Sequence, residues 1–329
     1  MSHQQITLPI PTHSGLSTPI PHAAPHTPHV LKPGFKHRKQ KIPIFNTRYS
    51  PDPVQSVQIL LPHDAVKPYI YLYGFFTHEI EAWTKDYIFP LPALREHTVQ
   101  IFPDEVPTLF STQREFGVAR CNIFGMADRS FLNSHMPRQC RRLQISFTPT
   151  GLFHLTGIPA PSFTNSLVDA SQVWGPAVNT LVEQLSLCTD LRRQATLLDT
   201  FFLGLIQARK KIHHQPEIAQ VAGDIFSHPS PFDIQAMAQR CHKSTRQFER
   251  NFKEHVGISA RRFNTLNRFV HANVMKHKQP QKSWEAIAFS CGYYDLHHLA
   301  KDFAALGRSN ITAFRGYDYP GEVVVAKQY

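Results

Sequence analysis

DIQAMAQRCHKSTRQFERNFKEHVGIS (residues 233–259) and SWEAIAFSCGYYDLHHLAKDFAALGRS (residues 283–309) decide the fold, because the second stretch repeats the pattern of the first. In the first, Asp233 is a good N-cap, and Ile234, Met237, Ala238 and Cys241 mark the buried stripe of a short helix. His242 and Lys243 make a turn. Ser244 caps a second helix, Gln247 three residues on completes a capping-box pattern, and Phe248 and Phe252 share the buried face. Two short helices joined by a turn of three or four residues form a helix-turn-helix, and a small residue such as Ala238 lets them cross closely. In the second copy Ser283 caps a helix carrying Trp284, Ile287 and Ala288. Cys291, Gly292 and Tyr293 turn the chain, and Asp295 caps a helix that buries Leu299 and Phe303. Gly257 and Ser259 close the first copy, Gly307 and Ser309 the second. A supersecondary unit used twice at a spacing of about 50 residues is an internal repeat.

Between the copies, Ser259 to Lys278 contains no Gly or Pro and predicts one helix. About 20 residues of helix span roughly 30 Å. That is close to the roughly 34–36 Å that separates successive major-groove faces of B-DNA. Two heads on a rod of that length would reach adjacent turns of one duplex face.

The rest of the chain is organised around this unit. Residues 1–50 hold many Pro and His, no Asp or Glu, and no apolar period, which predicts a disordered basic tail. Its cluster Lys36, His37, Arg38, Lys39 and Lys41 reads as a solvated arm, and its six His show no metal-ligand spacing. Residues 51–212 read as a β-rich domain ending in helices. Its strand-like runs are Tyr69–Phe76, Tyr87–Leu91, His97–Phe102, Val118–Phe124 and Arg142–Thr148, which suit an antiparallel sandwich or barrel. Pro149, Gly151, Gly157 and Pro159 mark a turn region, followed by helical stretches Gly175–Cys188 and Leu191–Lys211. In the last of these Leu197, Phe201, Leu205 and Ala208 share a face, a stripe for the sheet or for a dimer partner. Residues 213–232, with a short helix around Glu217–Phe226 between His- and Pro-rich ends, read as a hinge. Residues 233–318 are the C-terminal domain and 319–329 a tail. The fold class expected is α+β.

Charge follows the same division. The net charge of +11 divides as +6 in residues 1–50, 0 in 51–215 and +5 in 216–318, so a polyanion would meet the flanks and not the centre. Cys121, Cys140, Cys188, Cys241 and Cys291 stand too far apart for a zinc site or a disulfide framework. No apolar run reaches a membrane span and the first residues lack a signal-peptide pattern, so the expectation is a cytoplasmic protein without a membrane partner. In the β-rich region His63, His78, His97, His135 and His154 are singly placed, and no nucleophile elbow, P-loop or dinucleotide fingerprint occurs. Neither metal, cofactor nor catalytic residue is expected.

Residues 217–318 resemble the DNA-binding domain of the AraC/XylS family of bacterial transcription regulators. The matching residues are Ala238, Ser244, Phe248-Glu249-Arg250, Phe252-Lys253, Gly257-Ile258-Ser259, Phe263, Arg268 and Ala272. They continue with Ile287-Ala288, Gly292-Tyr293, Asp295, Leu299, Phe303, Gly307, Ser309 and Phe314-Arg315. The family's Pro after each Gly-x-Ser is Ala260 here in the first copy and Asn310 in the second. Phe89-Pro90, Ile145–Pro149, Gly151, Gly157, Asn165 and Trp174 are similar to the cupin-like sensor domain that precedes it in one branch. The resemblance implies double-stranded promoter DNA as partner, with a small-molecule effector, RNA polymerase and a second copy of the chain as further partners.

The phenylalanines and leucines of each second helix are committed to the core, so base readers must lie opposite, near its N-terminus. In the first unit these are Thr245, Arg246, Glu249 and Arg250. Either arginine suits a guanine bidentately and Glu249 suits cytosine N4, although Glu249 paired with a neighbouring charge is the plainer alternative. In the second unit they are Leu296, His297, His298 and Lys301, with Leu296 suited to a thymine methyl. Phosphate contacts are expected from Lys243, Ser244, Arg261 and Arg308. Asp295 is expected to cap, and Arg268 to act as a structural tie. The first head, which holds the arginines, is expected to set sequence preference more strongly. Three other readings remain: a metal-dependent β-barrel enzyme or small-molecule-binding protein with an appended DNA-binding domain, a DNA-repair methyl acceptor, for which the cysteines are wrongly spaced, and a scaffold.

Overall fold

The structure, a computed structural model, describes residues 54–79, 88–90, 93–110, 115–129, 133–208, 215–228, 232–307 and 311. The tails 1–50 and 319–329, and Arg308, lie outside these.

Among the described residues the N-terminal part holds ten strands: β1 (Val54–Leu60), β2 (Ile70–Glu79), β3 (Ile88–Pro90), β4 (Thr98–Ile101), β5 (Thr108–Phe110), β6 (Glu115–Phe116), β7 (Cys121–Phe124), β8 (Asn133–His135), β9 (Gln139–Phe147) and β10 (Leu167–Asp169). They form two antiparallel sheets, ordered β1-β2-β9-β4-β7-β10 and β3-β8-β5-β6. Side chains alternate across a strand. One face of the larger sheet therefore carries Tyr73, Phe75, Val99, Ile101, Ile123, Leu143, Ile145 and Phe147, all buried. On it pack α1 (Gly151–Thr156), α3 (Ala177–Ser186) and α4 (Leu191–Ala208), with the short α2 (Ser171–Trp174) between. The opposite face carries Thr98, Gln100, Arg142, Gln144 and Ser146 among Leu72, Phe76 and Phe124, and Leu109 of the smaller sheet packs on Phe124.

One sequence expectation is revised here and a second is sharpened. The region punctuated by Pro149, Gly151, Gly157 and Pro159 contains α1, because Gly151 lets the chain pass against Tyr69. A Cβ at Gly151 would lie 1.9 Å from the Tyr69 carbonyl oxygen, and Gly157 then ends the helix at φ 69°. On α4 the fully buried positions are Gln194, Ala195, Leu198 and Phe202, while Leu197, Phe201 and Leu205 are half-buried against the same core.

The C-terminal part is helical: α5 (Pro216–Ser227), α6 (Ile234–Arg240), α7 (Thr245–Val256), α8 (Ala260–Lys278), α9 (Trp284–Ser290) and α10 (Leu296–Leu306). The segment read as a hinge contains α5, whose Ile218, Val221, Ala222 and Ile225 are buried in this helical core. Its apolar period makes it part of the domain, whatever the composition of its ends. The chain as a whole is α+β, a sheet-rich N-terminal part followed by an all-helical C-terminal part. Among the described residues no helix is long and apolar enough to cross a membrane.

The two helix pairs, α6–α7 and α9–α10, are built alike. Lys243 N–H donates to the Ala238 carbonyl at 3.0 Å, and Tyr293 N–H donates to the Ala288 carbonyl at 2.9 Å. Each turn needs one left-handed residue, His242 at φ 52° and Gly292 at φ 71°. A side chain at such φ is strained by roughly 1–2 kcal/mol, whereas glycine is free of that strain. Gly292→Ala is therefore expected to lower stability by about 1 kcal/mol, and His242→Gly to hold or raise it by up to about 1 kcal/mol. Urea unfolding of both variants checks the pair, and opposite signs are the expected result.

Candidate nucleic-acid interface

Both second helices start from caps that leave their N-terminal turns open to solvent. Ser244 and Gln247 form a reciprocal capping box: Gln247 N–H donates to Ser244 Oγ at 3.3 Å, and Ser244 N–H donates to Gln247 Oε1 at 3.1 Å. Asp295 Oδ1 accepts from His298 N–H at 2.8 Å. The helix rod α8, capped by Ser259, is 19 residues long, or about 28 Å. Each unit packs on its own half of that rod. Phe252 lies 5.8 Å ring to ring from Phe263 near its start, and Phe303 lies 4.9 Å from Phe269 further along. One continuous buried core thus sets the two heads at a fixed separation.

On the first head, Thr245, Arg246 and Arg250 are exposed, Lys243 and Glu249 are half-exposed, and Ser244 is exposed. No ion pair joins Glu249 to Arg246 or Arg250 among the described residues, so neither arginine is held by a neighbouring carboxylate. Two unpaired guanidinium groups stand one turn apart at a helix N-terminus, beside backbone N–H groups that carry a partial positive charge. Arg261 is exposed, with its guanidinium 5.0 Å from the Phe232 ring.

The second head is differently equipped. His297 and Lys301 are exposed, while Leu296 is half-buried against the helical core. His298 Nδ1 lies 2.8 Å from Asp295 Oδ1, so its ring is held at the cap. The backbone N–H of His298, and then its side chain, hold the Asp295 carboxyl below the usual range. Arg268 on α8 donates to the Gly292 carbonyl at 3.0 Å and lies 4.5 Å over the Tyr293 ring, tying the rod to the second turn. Arg268→Ala is expected to cost about 1 kcal/mol, read as a lower urea midpoint.

Sequence reasoning passed over two residues here. Tyr294 is 92% exposed and Phe289 83% exposed, both on the second unit. The signal for Tyr294 lay in the spacing. The cap Ser244 stands six positions after Ala238, but the cap Asp295 stands seven after Ala288, and the extra residue is pushed outward.

The N-terminal part grips the first head from behind. His97 Nδ1 accepts from Met126 N–H at 3.0 Å, so Nε2 carries the proton and donates to the Val256 carbonyl, also at 3.0 Å. Val256 is the last residue of α7. Beside it, Thr164 Oγ1 donates to the Gly257 carbonyl at 3.1 Å, and Phe153 stacks 4.1 Å from His255. Gly257 sits at φ 109°, and a Cβ there would come within 2.6 Å of Thr164 Oγ1. Arg262 of α8 bonds the Asp128 carbonyl and lies 3.6 Å from its carboxylate. Arg95 donates at 2.8 Å both to Asn267 Oδ1 of α8 and to the Phe226 carbonyl of α5. Burial pushes the pKa of His97 down to about 4, and burial followed by the Arg95 charge does the same to His271. None of these contacts faces the exposed N-terminal turn of α7, which stays open among the described residues.

Among the described residues no group of three His, Cys, Asp or Glu side chains is placed to hold a metal ion. All five cysteines are buried free thiols, and burial pushes Cys140 and Cys291 up to about 11.

Paired helices with matching turns on a common rod define a helix-turn-helix domain. Residues 237–316 match the family model described as a helix-turn-helix domain, and these C-terminal helices are of the AraC type. No curated protein matches the chain. Among solved structures, ToxT from Vibrio cholerae O395 is 9% identical, over 78% of this chain and 95% of that one, with a TM-score of 0.40. Unsaturated fatty acid-bound ToxT from Vibrio cholerae strain SCE256 is 8% identical over 78% and 93%, with a TM-score of 0.39. The AraC-like transcriptional activator CuxR is 11% identical over 66% and 86%, with a TM-score of 0.23. At TM-scores below 0.5 such likenesses are too loose to carry residue roles.

Proposed function

We propose that this chain is a sequence-specific, DNA-binding transcription regulator of the AraC/XylS type. In this reading α7 and α10 enter adjacent major-groove segments of one duplex face. Residues 51–212 serve sensing or dimerisation, and residues 233–318, with α5, bind DNA. The observation that carries the reading is the pair of arginines, Arg246 and Arg250, without partners among the described residues, at the exposed start of a helix whose far end is buried in the fold. Base contacts come from Thr245, Arg246, Glu249 and Arg250 in the first head, and from His297 and Lys301 in the second. Leu296 and His298 take smaller parts, because the core and Asp295 already hold them. Lys243, Ser244, Arg261 and Arg308 meet phosphates. A second copy of the chain, RNA polymerase and a small-molecule effector complete the set of partners.

The test is competition binding at fixed salt between the promoter region nearest the protein's own gene and random duplex of equal length. The regulator reading expects at least a hundredfold preference, since specific and non-specific affinities normally differ by 10³ or more. Equal affinity for both duplexes would remove it.

A further inference from the structure

The two turns close in the same way, yet the second holds one residue more. In each, the residue after the left-handed position donates its N–H to an alanine carbonyl, Lys243 to Ala238 and Tyr293 to Ala288. The first turn then passes directly to its cap, Ser244, whereas the second places Tyr294 before its cap, Asp295. Among the described residues the inserted tyrosine adds no bond to the turn and no side chain to the helical core.

Both of its neighbours are held. Tyr293 is 4% exposed, with the Arg268 guanidinium 4.5 Å from the centre of its ring, and Asp295 Oδ1 accepts from His298 N–H at 2.8 Å. Tyr294 between them is 92% exposed. Among the described residues its side chain makes no hydrogen bond, and its one ring contact is with His298, edge-on at 6.2 Å between centres. The His298 ring is fixed by Asp295 at 2.8 Å, and the His297 ring lies 6.3 Å beyond it. The start of α10 thus presents a row of rings where the start of α7 presents two arginines.

A phenol ring is a large apolar body with one polar tip, and covering it with apolar groups is favourable. Because the chain is pinned on either side, little backbone entropy is lost when the ring is covered. On the base-pair edges of the major groove the apolar group is the C5-methyl of thymine. Leu296, the other apolar residue at this helix start, is half-buried against the helical core and has less surface to offer.

We propose that Tyr294 is a specificity-determining residue of the second head, its ring packing on a thymine methyl in the major groove. This rests on the regulator reading, in which the start of α10 meets the bases. The second head then selects thymine at one position through apolar contact, with no hydrogen bond from Tyr294 to that base. The first head selects by guanidinium forks. The phenol hydroxyl plays no part in the choice of base.

The experiment uses the full-length protein on the duplex it prefers, with each thymine replaced in turn by deoxyuridine, which lacks only the methyl group. For the parent, replacement at one position is expected to weaken binding about threefold or more, the effect of covering roughly one methyl group. Tyr294→Ala is expected to weaken binding to the thymine duplex by a similar factor and to ignore deoxyuridine at that position. Tyr294→Phe is expected to keep the discrimination, because the ring makes the contact. The salt dependence of binding should be the same for all three proteins, since no ion pair is lost. A parent indifferent to every replacement, or a Tyr294→Ala variant with the parent's pattern of sensitivity, would overturn the proposal. So would a Tyr294→Phe variant that loses as much as Tyr294→Ala, which would put the hydroxyl on a phosphate. An alanine variant melting well below the parent would assign the ring to the fold and overturn it too. A protein that loses its duplex preference with Arg246→Ala and Arg250→Ala, yet ignores deoxyuridine, keeps the regulator reading and loses this one. A protein that prefers no duplex loses both.

Discussion

Changing Arg246 and Arg250 together to alanine is expected to weaken binding to the preferred duplex at least tenfold while binding to random duplex falls much less. A bidentate arginine–guanine contact is worth about 1–3 kcal/mol of discrimination. The two residues sit one turn apart on α7, so their effects will not simply add. Folding should be untouched, because both side chains are exposed and have no bonded partner among the described residues. Matched changes at Leu296 and Lys301 on α10 are expected to cost less. Leu296 is held partly by the core, and Lys301 presents a single point charge. Competition assays on the two double variants check the order, and equal losses from both heads would contradict the asymmetry.

Acid is expected to loosen the protein through His97 and His271. Both are neutral in the fold, with pKa values near 4 against 6.5 for a free histidine. Between those values the unfolded chain takes up protons that the folded chain refuses. The contribution of each histidine is therefore complete above pH 6.5 and declines as pH falls toward 4. By pH 5 the loss is about 2 kcal/mol for each, a large share of ordinary domain stability. For His97 the geometry says why. A second proton would fall on Nδ1, which already accepts from Met126 N–H. Urea midpoints at pH 7 and pH 5, for the parent and for His97→Gln, check this. The variant should begin less stable and lose about half as much on acidification. An unchanged pH slope would mean that His97 does not sense protons in the fold.

What could be read in the sequence was local. Ser244 and Gln247 announce a capping box because both partners lie within one turn, and Ala238 and Ala288 mark helix crossings because the repeat supplies two examples of one pattern. The structural role of Arg268 was legible from its apolar neighbours on α8. The grip of the N-terminal part on the first head was not. His97 and Val256 are 159 residues apart, and nothing in either neighbourhood marks the other. The same holds for Arg95 and Asn267, at a separation of 172. The helix α1 was hidden because glycine and proline mark turns on average, whereas Gly151 here serves a close approach to Tyr69. In the sequence Arg142 stood only as the first residue of the strand-like run to Thr148. Only the register shows that it turns inward while Arg141 turns out.

The measurement that bears most directly on the central claim is a hydroxyl-radical footprint of the full-length protein on its own upstream region. Two heads on a rod of 19 residues predict two protected segments on one face of the duplex. Their centres should lie about one helical turn apart, roughly 10–10.5 base pairs. With Arg246→Ala and Arg250→Ala, protection should fade first at the segment read by α7. A single protected segment, or protection that moves freely with the sequence offered, would contradict a two-headed reader.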